Sequence, residues 1–184
     1  MIENNLKTDK LVNFGPSGRA IAQPIDSGLL DNFYEHLTME RYANVQYFAI
    51  YLWFLERDLD GFASYFLRES QAEMEHSYKF ANYFIARGQT VKLNELTAPI
   101  QTWDSIENLV SFSFNMEADL TSSLQQLYSI AERVSDTRTN VFLDPIIEAQ
   151  TTSEDEFAHI LGKVKFADNQ PSAIMLIDSE LKKK

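Results

Sequence analysis

Apolar residues return every three or four positions along four long stretches of this chain, the spacing of one buried helical face. The first stretch runs from about Asp26 or Ser27, either of which offers a capping oxygen, to about Arg57. Asp58–Gly61 breaks the pattern only briefly, so the next helix returns antiparallel beside the first. That second helix spans about Phe62 to Arg87 and stops at Gly88, a residue type that commonly ends helices. A third is predicted from about Trp103 to Val134. After a turn at Ser135-Asp136 a fourth runs from about Thr137 to Ala167, with Pro145 as a kink or a late start. A short last helix covers roughly Ser172 to Leu181. Residues 1–25 are polar, contain Gly15-Pro16-Ser17-Gly18, and read as an extended or loosely held tail before one domain over 26–184.

Length turns this order into a topology. A helix of about 28 residues is roughly 42 Å long. The connection 89–101, fully extended, reaches at most roughly 45 Å. It is just long enough to cross the whole bundle, which makes the second and third helices parallel. The expected fold is all-α: a four-helix bundle with one long crossover and a short C-terminal fifth helix.

The four apolar seams share an interruption. Each is apolar at its ends and polar near its middle: Glu40 and Asn44 on the first helix, Glu69, Glu73 and His76 on the second, Ser113 and Glu117 on the third, Gln150 and Ser153 on the fourth. Four carboxylates, one imidazole and the Gln150 amide would then meet at one level of the bundle. Taken singly, each of these Glu residues is more often a solvated surface group. Agreement on all four helices is harder to dismiss. Burying unpaired carboxylates costs several kcal/mol each, and no Lys or Arg lies on the seams. A pair of divalent cations would supply the missing charge.

Glu73-Met74-Glu75-His76 is the sharpest piece of this pattern, because Glu and His three residues apart leave one helical face about a turn apart. Cysteine is absent, so a metal here must be held by Glu, Asp, His and Gln, a donor set that suits iron or manganese better than structural zinc. Among the other histidines, His159 falls on the opposite face from Gln150. His36 shares a face with Glu40, but near the helix start, where solvent is expected. The net charge of −11 disfavours nucleic acid and attracts small cations, and the Lys182-Lys183-Lys184 end reads as solvated. No apolar run has the length of a membrane span and no signal-peptide pattern opens the chain, so a cytoplasmic protein with no membrane partner is expected.

Several stretches resemble ferritin, in particular cyanobacterial-type non-haem ferritins, from about Leu29 onward. They are Glu40-Arg41-Tyr42-Ala43 with Tyr47, Tyr65-Phe66-Leu67 leading into Glu73–His76, Trp103-Asp104-Ser105, Met116-Glu117-Ala118-Asp119 and Ile147-Glu148-Ala149-Gln150. The resemblance implies a di-iron ferroxidase centre in which Glu40 and His76 hold one iron, Glu73 bridges, and Glu117 holds the second, with Gln150 beside it. Tyr47 would hydrogen-bond a ligand or donate an electron. Some bacterial ferritins carry an acid where Ser153 stands, so the second iron would be held more weakly, with Glu69 or Glu148 compensating in part. Asp144 and Glu148 match positions that line the family's cation routes, although solvated acids are the simpler reading. Met74 falls where bacterioferritins place a haem-ligating methionine; an ordinary surface or interface methionine is the reading here.

The implied function is iron storage and detoxification: Fe(II) oxidised by dioxygen or peroxide, and ferric mineral deposited inside a homo-oligomeric shell of twenty-four subunits. The last helix would then pack at subunit contacts. The alternative is a rubrerythrin-like di-iron peroxidase or oxidase without storage, which would want a second Glu-x-x-His on the fourth helix. The chain has Gln150-Thr151-Thr152-Ser153 there. A DNA-protecting mini-ferritin would want a basic tail and no centre within the bundle.

Overall fold

The computed structural model describes residues 11–182. A two-stranded hairpin, β1 (Asn13–Phe14) and β2 (Ala20–Ile21), precedes five helices: α1 (Ser27–Leu55), α2 (Asp60–Ala86), α3 (Ile106–Arg133), α4 (Thr137–Ala167) and α5 (Pro171–Leu181). Helix starts follow local chemistry. The Asp26 side chain accepts from the Gly28 and Leu29 amides at 2.9 and 3.2 Å, and Ser105 accepts from Asn108 at 3.1 Å. The ends fall at left-handed residues: Asp58 between α1 and α2, Gly88 after α2, Ser135 between α3 and α4, and Asp168 after α4. α4 runs unbroken through Pro145, so the late start is not found. Pro145 and Val141, whose carbonyl the proline leaves without its helical donor, are both exposed and face water.

The crossover lies along α1 and is pinned to it in register. Thr90 accepts from the Tyr34 hydroxyl, Asn94 accepts from Arg41 at 2.8 Å, and the Gln46 amide clasps the Ile100 backbone from both sides at 2.8 and 2.9 Å. The connection therefore travels in the same direction as α1 and returns the chain to the end where α2 began. α2 and α3 are parallel, and the fold is the four-helix bundle with one long crossover that the spacing predicts.

Of the 1–25 tail, expected to be extended or loosely held, residues 1–10 lie outside the described residues, and 13–21 are extended but pinned. The hairpin docks at the C-terminus of α2, where Ser17 donates from its amide and hydroxyl to the Gly88 carbonyl at 3.2 and 2.9 Å. A Cβ on Gly15 would lie 2.2 Å from that carbonyl oxygen, so only glycine allows the approach. α5, expected at subunit contacts, packs within its own subunit. Ile174, Ile177 and Leu181 complete one end of the core, and Asp178 accepts from the Gly61 and Phe62 amides at 2.8 and 2.9 Å. α2 has no capping side chain of its own, and α5 supplies one.

The core is split in two. One apolar cluster, with Ile50, Phe54, Phe62, Phe66, Phe157 and Ile160, fills the end near α5. Another, with Leu29, Phe33, Phe84, Leu124, Leu127 and Leu143, fills the end near the hairpin. The polar residues of the four seams lie on the same helices at positions between these clusters.

Candidate metal centre

Glu40 on α1 and Glu73 and His76 on α2 each offer a ligand atom, and these atoms all lie within 4.8 Å of one another. Both carboxylates are buried and the imidazole is partly so. His76 Nδ1 lies 3.1 Å from Glu73 Oε2 and 3.4 Å from Glu40 Oε2. The helical spacing read from Glu73 and His76 thus delivers both to one point, and α1 brings Glu40 to meet them.

On the facing helices Glu117 is buried and held at both oxygens. The buried Tyr47 hydroxyl donates to its Oε1, and the Gln150 amide donates to its Oε2 at 2.7 Å. Tyr47 stacks on Phe157 with ring centres 5.6 Å apart. The two halves of the centre are therefore unequal: three mutually close donors on α1 and α2, and one carboxylate already engaged by a phenol and an amide on α3 and α4.

The electrostatics follow from burial without a counter-cation. Burial alone would raise the Glu40 carboxyl, but its close contacts with Glu73, His36 and His76 hold it well below its ordinary range. Burial and the neighbouring Glu40 push Glu73 well above, so the pair keeps a proton on Glu73. Burial works against a proton on His76, yet Glu40 and Glu73 outweigh it and raise the imidazole to about 10. Burial also raises Glu117. Glu69, half-buried, is pushed up to about 7 by burial and by the charges of Glu117 and Glu156. Among the described residues no Lys or Arg pairs with Glu40, Glu73 or Glu117. The counter-charge is protons on the site's own groups, and a divalent cation can replace them.

Of the residues predicted for the centre, Glu40, Glu73 and His76 form the compact group, Glu117, Tyr47 and Gln150 form the facing set, and Glu69 lies at the margin. Glu148 is corrected: it is exposed, two residues and so roughly 200° around α4 from buried Gln150. His159 is exposed, as expected. His36 is the residue that sequence reasoning placed wrongly. It is fully buried, with Nε2 2.8 Å from Glu40 Oε1. Its signal was present, since apolar Phe33 and Leu37 flank it on the face that carries Glu40.

Residues 30–167 match the ferritin-like domain family, and the chain belongs to it. It is 27% identical over 147 residues to a bacterial non-heme ferritin of Bacteroides fragilis, covering 80% of this chain and 91% of that one. The open pore ferritin of the hyperthermophilic archaeon Archaeoglobus fulgidus superposes with a TM-score of 0.84 over 88% of this chain and 99% of its own, at 23% identity. A PmFTN variant whose crystals were soaked in iron superposes with a TM-score of 0.80 at 29% identity, over 84% of this chain and 98% of its own. No helix among the described residues is long and apolar enough to cross a membrane.

Proposed function

We propose that this chain is a cytoplasmic iron-storage subunit that oxidises Fe(II) at the Glu40–Glu73–His76–Glu117 centre and passes the ferric product into a shell built of identical copies. The observation that carries this reading is the buried Glu40–Glu73–His76 group, whose donor atoms all lie within 4.8 Å of one another and which no Lys or Arg among the described residues pairs with. Family membership and the iron soaked into the PmFTN relative support the metal's identity.

Fe(II) is the substrate. Glu40 and His76 bind the first ion, displacing the proton from the imidazole, and Glu73 gives up its proton to bridge toward a second ion on Glu117. Two Fe(II) ions release two electrons, enough to reduce dioxygen to hydrogen peroxide or peroxide to water. Tyr47, hydrogen-bonded to Glu117, stands ready to hold that carboxylate or to yield an electron and pass its proton to it. Hard carboxylate oxygens favour the ferric product. With Ser153 half-buried where an acid would tighten the second site, that product is free to leave.

Stopped-flow oxidation of Fe(II) in air tests the assignment. The parent protein gives a fast phase, and Glu73→Ala and His76→Ala each reduce the rate to that of buffer. A fast phase that survives in both variants overturns the site. Particle mass after iron loading tests storage: a monomer or dimer retaining only a pair of irons overturns it.

A further inference from the structure

His36 touches the first carboxylate of the centre, yet the ligand set gives it no task. It is fully buried, and its ring packs edge-on against Phe80 at 4.6 Å. A leucine would fill that apolar surrounding without the cost of a buried imidazole. Instead its two nitrogens face two polar partners from different helices: Nε2 lies 2.8 Å from Glu40 Oε1 on α1, and Nδ1 lies 3.0 Å from the Ser123 hydroxyl on α3. A carboxylate oxygen has no proton to give, so Nε2 carries the proton and Nδ1 accepts from Ser123.

The other oxygen of Glu40 is in a different position. Oε2 faces His76 at 3.4 Å and has no aligned donor, and the Nε2 proton of His36 is off the line to Oε1. Two buried, poorly satisfied polar atoms on one pair of residues, His36 Nε2 and Glu40 Oε2, mark an arrangement that tightens when its missing ligand arrives. We propose that His36, backed by Ser123, is a positioning residue. It occupies Oε1 of Glu40 and so leaves the carboxylate to bind metal through Oε2 alone, facing Glu73 and His76. A glutamate free at both oxygens would chelate the ion and take up a further coordination position; a glutamate held at one keeps that position open for the oxidant. This inference rests on the assignment of Glu40 as a ligand.

The test is anaerobic titration of Co(II) into the metal-free full-length protein, followed by calorimetry and by visible absorption. The parent binds Co(II) at the centre. His36→Leu shifts the parent's absorption bands, because Glu40 then binds through both oxygens, and the loss of the partner that orients the ligand weakens the first binding step about 10- to 100-fold. His36→Gln, whose carboxamide can still donate to Oε1, restores affinity to within about a factor of a few and keeps the parent's absorption bands. Unchanged bands or unchanged affinity in His36→Leu overturns the proposal. So does a His36→Gln protein as weak as His36→Leu with shifted bands, which makes the imidazole itself a ligand. Should His36→Leu fail to fold, Ser123→Ala reads the same effect as a loss of a few-fold, and unchanged affinity there overturns it equally. A parent that binds no Co(II) overturns the assignment of the centre rather than the role of His36 alone.

Discussion

Two buried polar regions of this bundle solve the same electrostatic problem in opposite ways. At the end where α2 stops and α4 starts, Arg87 meets Asp136 in a two-pronged pair, with Nη2 to Oδ2 at 2.8 Å and Nη1 to Oδ1 at 3.1 Å. Tyr83 and Thr139 close the network at 2.8 Å. Each charge there has its partner in the chain. At the middle level Glu40, Glu73 and Glu117 are as deeply buried, with only imidazoles, a phenol and an amide for company. In charge the first region is complete as folded, with only Arg87 Nε left without an acceptor, and the second is complete only with something added. That difference, more than the presence of buried acids, separates a structural cluster from a binding centre.

Breaking the complete region has the larger effect on stability. Asp136→Asn leaves Arg87 buried without its counter-ion, and removal of one member of such a pair costs about 3 kcal/mol. For a domain of this size that lowers the melting temperature by about 10 °C. Differential scanning calorimetry of metal-free protein checks it, and a shift under about 3 °C would show that the pair is screened. Acid has the matching sign. Burial opposes ionisation of Asp136, but Arg87 wins and holds its carboxyl below the ordinary 3.8. The pair's contribution is therefore fully present above about pH 4 and disappears as pH falls through the depressed value, so the gap between parent and variant closes on acidification.

Neutralising an acid in the incomplete region has the opposite sign. Glu73→Gln removes a carboxyl that burial and Glu40 push well above its ordinary range and that must take up a proton to fold, and metal-free protein should gain about 1 kcal/mol, or a few degrees. The same variant loses the stabilisation that the parent draws from added divalent metal. Earlier unfolding of the metal-free variant would mean that the cluster is already balanced and would remove the argument for a cation.

The sequence revealed the incomplete region more clearly than the complete one. Polar residues at apolar positions are visible wherever the helical period is, and Glu40, Glu73, His76, Glu117 and Gln150 all sit on that period. The Arg87–Asp136 pair joins two helix termini 49 positions apart, and neither residue breaks a pattern. The hairpin was illegible for a related reason: its anchor is Gly88, 71 positions from Ser17, and strands of 2 residues each are too short to show a period. His36 was lost through its place near the helix start, where solvent was expected on a face already shared with Glu40. The buried face of α1 carries Leu29, Phe33, His36, Leu37, Glu40, Ala43, Tyr47, Ile50 and Phe54, so it is closed from the first turn.

Asp178 sharpens the comparison with a third solution. It is a buried acid with no paired guanidinium or ammonium among the described residues, only the charge of nearby Lys182, and it is satisfied by two amides at the start of α2, where the helix dipole supplies a partial positive charge. Asp178→Ala strips the first turn of its acceptor and should cost about 1 kcal/mol, the usual worth of a helix cap. Asp178→Asn keeps an acceptor oxygen and should recover most of that, because what the amides need is a lone pair more than a full charge. Thermal unfolding of the two variants beside Asp136→Asn and Glu73→Gln then gives three responses to one chemical change, a buried carboxyl replaced by a carboxamide. It is a large loss where a cation was paired, nearly nothing where amides were capped, and a gain where the carboxyl had to take up a proton. Equal losses at Asp136 and Asp178 would mean that depth of burial, rather than the partner, sets the cost, and would undo the distinction drawn between the two regions.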